Sequence, residues 1–223
     1  MARDDPPNFV TFIAFVLLDL SFSLNIISQA RKYIFIIILS LNISLYVTVA
    51  QSGIRRIILN IFRAMKPERV YENLTKMPWQ ELYNEGIRTA LLDFDNTLGP
   101  DHATEPEEYS YKCVKMIEKT GIRCCLVSNA KSGRSAKIAE MLKIPVVTYA
   151  NKPGTSGVLK AIKLMESTPE KSLMVGDQVF TDVIAGNRSG VRTFMVEKLY
   201  KSEIWYVLLK RPFEKLVRVV GKF

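Results

Sequence analysis

A Rossmann-like α/β fold built on one parallel sheet is predicted by three features of the sequence. Short β-rich apolar runs alternate with helical patterns between residues 87 and 196. The intervening helices are long enough to carry the chain back across a sheet, as βαβ units require. Carboxylates, an amide and a lysine stand at the carboxyl ends of the runs, where an open parallel sheet holds its ligands.

In chain order, strands are predicted over 87–93, 122–127, 145–149, 172–176 and 191–196, with helices near 106–119, 132–142, 154–166 and 180–188. A chain of 223 residues has room for one such domain and an accessory segment. The expected division is an apolar membrane-associated segment of one or two helices over 1–54, a basic amphipathic helix and connector over 55–86, and the α/β domain with a basic C-terminal helix over 87–223.

Two apolar stretches fill the first segment. From Phe9 to Gln29 the only charge is Asp19, and from Tyr33 to Ile54 there is none. Each is long enough to cross a hydrocarbon core of about 30 Å as a helix. Asp19 costs the first about 2.5–3.5 kcal/mol at mid-membrane, which its aliphatic and aromatic side chains offset. A signal peptide fits poorly, since Arg3 is followed by Asp4 and Asp5 and the apolar region runs long. Arg55, Arg56, Arg63 and Lys66 after the second stretch favour a body on the cytoplasmic side, or the matrix side of a mitochondrial membrane. Ile54, Ile57, Ile58, Ile61, Phe62 and Met65 recur at helical spacing, a pattern that serves equally a membrane-surface helix or one packed on the body.

The formal net charge is +9, all of it beyond residue 54, since Arg3, Arg31 and Lys32 offset Asp4, Asp5 and Asp19. The basic regions flank the α/β body. Anionic lipid or an anionic substrate is the expected partner, and nucleic acid is not, for no reading module is present. Three cysteines, two adjacent at Cys124 and Cys125, match neither a disulfide framework nor a metal-ligand spacing. The single histidine, His102, stands in a polar loop beside Asp101 and reads as solvated. No feature fixes an oligomeric state.

The predicted strand ends converge on one crevice: Asp93 with Asp95 and Thr97, Ser128 with Asn129, Asn151 with Lys152, and Asp177 followed by Asp182. Phosphoryl transfer needs a nucleophile, a cation, donors for the phosphate oxygens and a group that protonates the leaving oxygen. Asp93 can attack phosphorus to form an aspartyl phosphate. Asp95 can act as acid and then base. Magnesium, a hard cation, suits carboxylates such as Asp93 and Asp177. Ser128, Asn129 and Lys152 can hold the transferring group.

The segments DFDNTL (93–98), Ser128 in SNA, Lys152 in NKP and GDQVFTD (176–182) resemble the four motifs of the haloacid dehalogenase (HAD) superfamily. The resemblance implies an HAD-type sheet, Asp93 as nucleophile, Asp95 as acid/base and, through its carbonyl, a metal ligand, Asp177 as a further ligand, and Asp182 in support. Together with MKPERVYENL (65–74), GDQVFTDVIAGNRSG is similar to the YqeG-like branch, related to phosphatidylglycerophosphate phosphatases, over residues 64–220. Too few residues lie between the motifs for a large cap domain, so a large partner such as a lipid headgroup is expected to cover the site. The expected function is therefore magnesium-dependent dephosphorylation of phosphatidylglycerophosphate to phosphatidylglycerol. The alternatives are a soluble phosphomonoester or phosphoprotein as substrate, or a membrane-tethered binding protein without turnover.

Overall fold

The computed structural model describes residues 60–130, 133–199, 217–219 and 221. Both apolar N-terminal stretches and most of the expected C-terminal basic helix lie outside the described residues. Among those described, no helix is long and apolar enough to cross a membrane.

Six parallel strands form one sheet in the order β1-β6-β5-β2-β3-β4. They are β1 (Arg69–Tyr71), β2 (Thr89–Leu92), β3 (Arg123–Val127), β4 (Val146–Val147), β5 (Ser172–Gly176) and β6 (Arg192–Val196). The helices are α1 (Trp79–Asn84), α2 (Glu108–Glu118), α3 (Arg134–Leu142), α4 (Ser156–Leu164) and α5 (Ile184–Arg188). The expected helix near 180–188 is divided: a π-helical turn, Val179–Val183, leads directly into α5.

The central strands are apolar throughout because both faces are covered. Ala90, Leu92, Cys124, Leu126, Leu173 and Val175 point to one face, where Val114 and Ile117 of α2, Ile138 and Leu142 of α3, and Trp79 and Leu82 of α1 meet them. Leu91, Cys125, Val127 and Met174 point to the other, against Val158, Ala161 and Ile162 of α4 and Ala185 of α5. The helices are built for this role: α2 and α3 each bury an i, i+3, i+4, i+7 stripe, Ser110–Cys113–Val114–Ile117 and Ser135–Ile138–Ala139–Leu142.

From β2 the chain winds outward through α2, β3, α3 and β4, then crosses back through α4 to place β5 on the other side of β2. The winding direction reverses between β2 and β5. That switch point opens a crevice at the carboxyl ends of the two strands, which pair in register from Thr89↔Ser172 to Leu92↔Val175. The connections that follow β2, β3 and β4 carry no inserted cap domain among the described residues.

The sheet begins earlier than the pattern from residue 87 indicates. Strand β1 pairs with β6, Val70 opposite Met195. Before it, residues 60–65 are helical, and Ile61, Phe62 and Met65 pack with Val179, Val183, Ile184, Met195 and Val217. For these residues the amphipathic pattern is a packing face of the body. Asn187 ties the end of this turn down: its Nδ2 donates to Ala64 O at 2.9 Å and Lys66 O at 2.8 Å, with Arg63 O at 3.4 Å.

Replacing Asn187 with Ala leaves those carbonyls without their donor. We expect a loss of about 0.5–1.5 kcal/mol in urea denaturation, with faster hydrogen exchange concentrated at residues 60–71. Unchanged exchange there would show that the turn is held by apolar packing alone.

Candidate active site

Four residues with buried charged side chains meet at the switch point: Asp93, Lys152, Asp177 and Asp182. Asp93 follows β2 and Asp177 follows β5, so the pairing of those two strands sets their separation. The Asp93 N–H donates to Val175 O at 3.0 Å, extending the ladder by one residue and fixing where the carboxylate projects. Asp182 comes from the first turn of the π-helix and takes the Gln178 N–H on Oδ2 at 3.1 Å. Gly176 makes its position accessible: a Cβ there would lie 2.3 Å from Asp182 Cγ.

Lys152 comes from the loop between β4 and α4, next to a cis Lys152–Pro153 bond. Its ammonium donates to Asp93 Oδ1 at 2.6 Å and Val127 O at 2.8 Å, and makes an ion pair with Asp182 Oδ1 at 2.7 Å. The backbone of Lys152 is held by Asn129, whose side chain accepts from Lys152 N–H at 2.7 Å and donates to Lys152 O at 2.8 Å. Asn129 thus fastens the Lys152 loop to the end of β3. The same loop is pressed against α4, where a Cβ on Gly157 would meet Ala150 at 2.3–2.5 Å.

Ser128 follows β3 and is buried. Its Oγ accepts from Ala130 N–H at 3.1 Å and from Ser135 Oγ at 2.9 Å, which leaves its own proton to donate into the crevice. Thr97 is buried in the turn after Asp95, with no protein partner for its hydroxyl among the described residues. His102 is exposed, and its ring nitrogen lies 3.8 Å from Asp101. The three cysteines are free and buried, and burial pushes the Cys125 thiol up to about 12.

Two residues at this site were not singled out from the sequence. Ser135 orients Ser128, as above. Arg134, the first residue of α3, forks onto Asp95, Nη1 to Oδ1 and Nη2 to Oδ2, both at 2.7 Å. The sequence did carry a signal for it, because a cation in the first turn of a helix opposes the helix dipole and calls for a nearby anion.

The donor set fits a divalent cation. Asp93, Asp177 and Asp182 each offer an oxygen, all within 4.8 Å of one another. Three buried carboxylates against one buried ammonium leave two negative charges in excess, the charge that a divalent cation cancels. Burial pushes the Asp93 carboxyl up to about 7, against the pull of Lys152 and with repulsion from Asp182 and Asp95 adding to the rise. For Lys152, burial opposes the charge, but Asp182 and Asp93 outweigh it and hold the ammonium above its ordinary range.

Comparison with known proteins bears on what such a site does. The profile of the family described as mitochondrial PGP phosphatase matches residues 49–199, a span that includes every residue named above for the crevice. The chain is 26% identical over 151 residues to the probable phosphatase YqeG of Bacillus subtilis, covering 68% of this chain and 88% of that one. It is 28% identical over 159 residues to the chloroplastic phosphatidylglycerophosphate phosphatase 1 of Chlamydomonas reinhardtii, covering 67% of this chain and 59% of that protein. With the chloroplastic/mitochondrial phosphatidylglycerophosphate phosphatase 1 of Arabidopsis thaliana the identity is 24% over 148 residues, 61% of this chain and 42% of that protein.

A pH-dependent response to cations follows from the raised Asp93. Between the ordinary carboxylate range and about pH 7, folded Asp93 holds a proton that the unfolded chain has lost, so stability of the metal-free protein falls as pH rises through this window. A cation displaces that proton and binds better above the window than below it. We expect added magnesium to raise the melting temperature more at pH 7.5 than at pH 5, and the gain to vanish in Asp177→Asn. Equal gains at both pH values would contradict a site built on Asp93.

Proposed function

Because the chain belongs to the mitochondrial PGP phosphatase family and is a phosphatase of the HAD superfamily, we propose that it hydrolyses the phosphomonoester of phosphatidylglycerophosphate, with magnesium, through an aspartyl phosphate on Asp93. The observation that carries the chemistry is the buried cluster of Asp93, Lys152, Asp177 and Asp182 at the β2/β5 switch point.

In this reading Asp93 attacks phosphorus and Asp95 protonates the departing oxygen, then takes a proton from the hydrolytic water. Ser128 donates its one free proton to a phosphoryl oxygen. The phosphoryl oxygens compete with the carboxylates for Lys152, whose ammonium stands beside the nucleophile and balances charge during transfer. Asp93 and Asp177 would hold the magnesium, with the Asp95 carbonyl as a further ligand and Asp182 in support. When bound, the cation neutralises the phosphoryl oxygens and aligns the transferring group. Asn129 and Thr97 support the site, Asn129 through the Lys152 backbone.

The lipid assignment draws on the relatives named above and on the uncapped crevice. An open site leaves water exclusion to the substrate's own surroundings, which a bilayer supplies. We assign residues 1–54 to membrane association, with the α/β body on the cytoplasmic or matrix side. Anchoring raises the local concentration of a lipid substrate without adding a contact at the site. Residues 55–86 and 87–223 then serve as connector and catalytic domain, although the packing of Ile61, Phe62 and Met65 places the start of the folded body near residue 60.

Asp93→Asn should abolish phosphate release from phosphatidylglycerophosphate while the protein still folds, since the exchange is nearly isosteric. Excess chelator should do the same to the wild type. Turnover that survives either treatment would refute the mechanism. Deleting residues 1–59 should spare hydrolysis of a soluble aryl phosphate and slow that of phosphatidylglycerophosphate in dilute vesicles. Deleting residues 1–66 should lower both, because it removes Ile61, Phe62 and Met65 from the core. A panel that adds soluble phosphomonoesters separates the lipid reading from the soluble-substrate alternative: preference for a soluble ester would overturn the lipid assignment and leave the chemistry standing.

A further inference from the structure

We propose that Arg134 is the positioning residue for Asp95, and that it leaves Asp95 Oδ2 as the oxygen that moves the proton in both halves of the reaction; this rests on the phosphatase reading above. The Arg134 side chain is only 11% exposed. Besides its fork onto Asp95, Nη1 donates to Ala103 O at 3.1 Å. The His102 N–H adds a further donor to Asp95 Oδ1 at 3.1 Å. Three separate pieces of chain, the turn after β2, the loop around 102–103 and the start of α3, are therefore joined through one carboxylate.

The two oxygens of that carboxylate are not equivalent. Oδ1 has two donors, Arg134 Nη1 and His102 N, whereas Oδ2 has one among the described residues, Arg134 Nη2. A carboxylate oxygen has two lone pairs, so Oδ1 is filled and Oδ2 keeps one open. A bidentate guanidinium also restrains the rotation of the short aspartate side chain, which a single point charge would not do.

The chemistry follows this asymmetry. In the first half a bond forms from Asp93 to phosphorus, the bond from phosphorus to the ester oxygen breaks, and the proton on Asp95 Oδ2 passes to that oxygen to release the alcohol. Oδ2 carries that proton on its open lone pair, while Nη1 and the His102 N–H hold Oδ1 and Nη2 stays on Oδ2. The carboxyl group thus stays aimed. In the second half water attacks phosphorus, Oδ2 takes one of its protons, and the bond from phosphorus to Asp93 breaks. Phosphate leaves, Asp93 is free again, and Asp95 has regained its proton.

The test compares full-length wild type, Arg134→Ala, Arg134→Lys and Asp95→Asn on phosphatidylglycerophosphate, whose alkoxide needs a proton to leave, and on dinitrophenyl phosphate, whose phenolate does not. Arg134→Ala should lose about 100-fold in kcat on the lipid with KM within about threefold of wild type. On the aryl ester it should give a burst of about one phenolate per enzyme, then slow turnover, because the second half still needs Oδ2. Arg134→Lys keeps one donor and should recover part of kcat. A raised KM with kcat preserved would overturn the proposal by making Arg134 a substrate-binding group. Burst and turnover lost together, with no rescue by lysine, would overturn it in favour of a purely structural role. A burst in Asp95→Asn beside wild-type kinetics in Arg134→Ala would remove the positioning role alone. A wild-type protein inactive on both esters would remove the phosphatase reading beneath it.

Discussion

The Lys152 ammonium, buried among Asp93, Asp182 and the Val127 carbonyl, is the constraint to which the rest of the structure answers. Burying charges costs several kcal/mol per ion unless geometry and hydrogen bonding compensate. Here the ammonium donates two hydrogen bonds and makes a second ion pair, all at 2.6–2.8 Å, and the partners come from three parts of the chain. Such a cluster tolerates little slack. The apolar strands on both sides of it, Leu91 and Leu92 in β2 and Met174 and Val175 in β5, provide the rigid frame. Asn129 supplies a second restraint by holding the Lys152 backbone from both sides.

Much of this was legible in the sequence, for physical reasons. Strands buried on both faces appear as uninterrupted apolar runs, so β2, β3, β5 and β6 fall within a residue or two of their expected limits. The polar residue that ends each run marks the end of the sheet and the start of the crevice. Asp93, Ser128, Lys152 and Asp177 do come together, and Asp182 joins them more intimately than a supporting role implies, through its contact with Lys152. Features set by tertiary contacts were harder to see. Strand β1 is three residues long, follows a proline and acquires its meaning only from β6. Strand β4 shrinks to Val146–Val147 because the next residues turn toward the site, with Tyr149 and Asn151 both at positive φ. The π-helical turn at Val179–Val183 keeps a helical apolar pattern and cannot be told from the start of an α-helix by spacing alone. Arg134 was overlooked because its partner lies 39 positions away in the chain.

The apolar face at residues 61–65 shows how one pattern can serve two ends. Hydrophobic residues at helical spacing describe a helix with something apolar on one side and leave open what that something is. For Ile61, Phe62 and Met65 it is the π-helical turn, β6 and Val217. Residues 60–65 are thus part of the folded body, held to it by this small core and by Asn187.

The strand order has a further consequence, for the order of assembly as the chain leaves the ribosome. Strand β1 is the first to emerge and its neighbour β6 is the last, so the sheet cannot close along that edge until residue 196 is available. Strand β5, which carries Asp177, must come to lie beside β2 after β3 and β4 have formed on its far side. Contacts this distant in sequence form late. A nascent chain therefore holds Asp93 and Ser128 early but has no complete charge cluster, and no cation site, until the final third of the domain is made. The chemistry is withheld until the fold that confines it is complete.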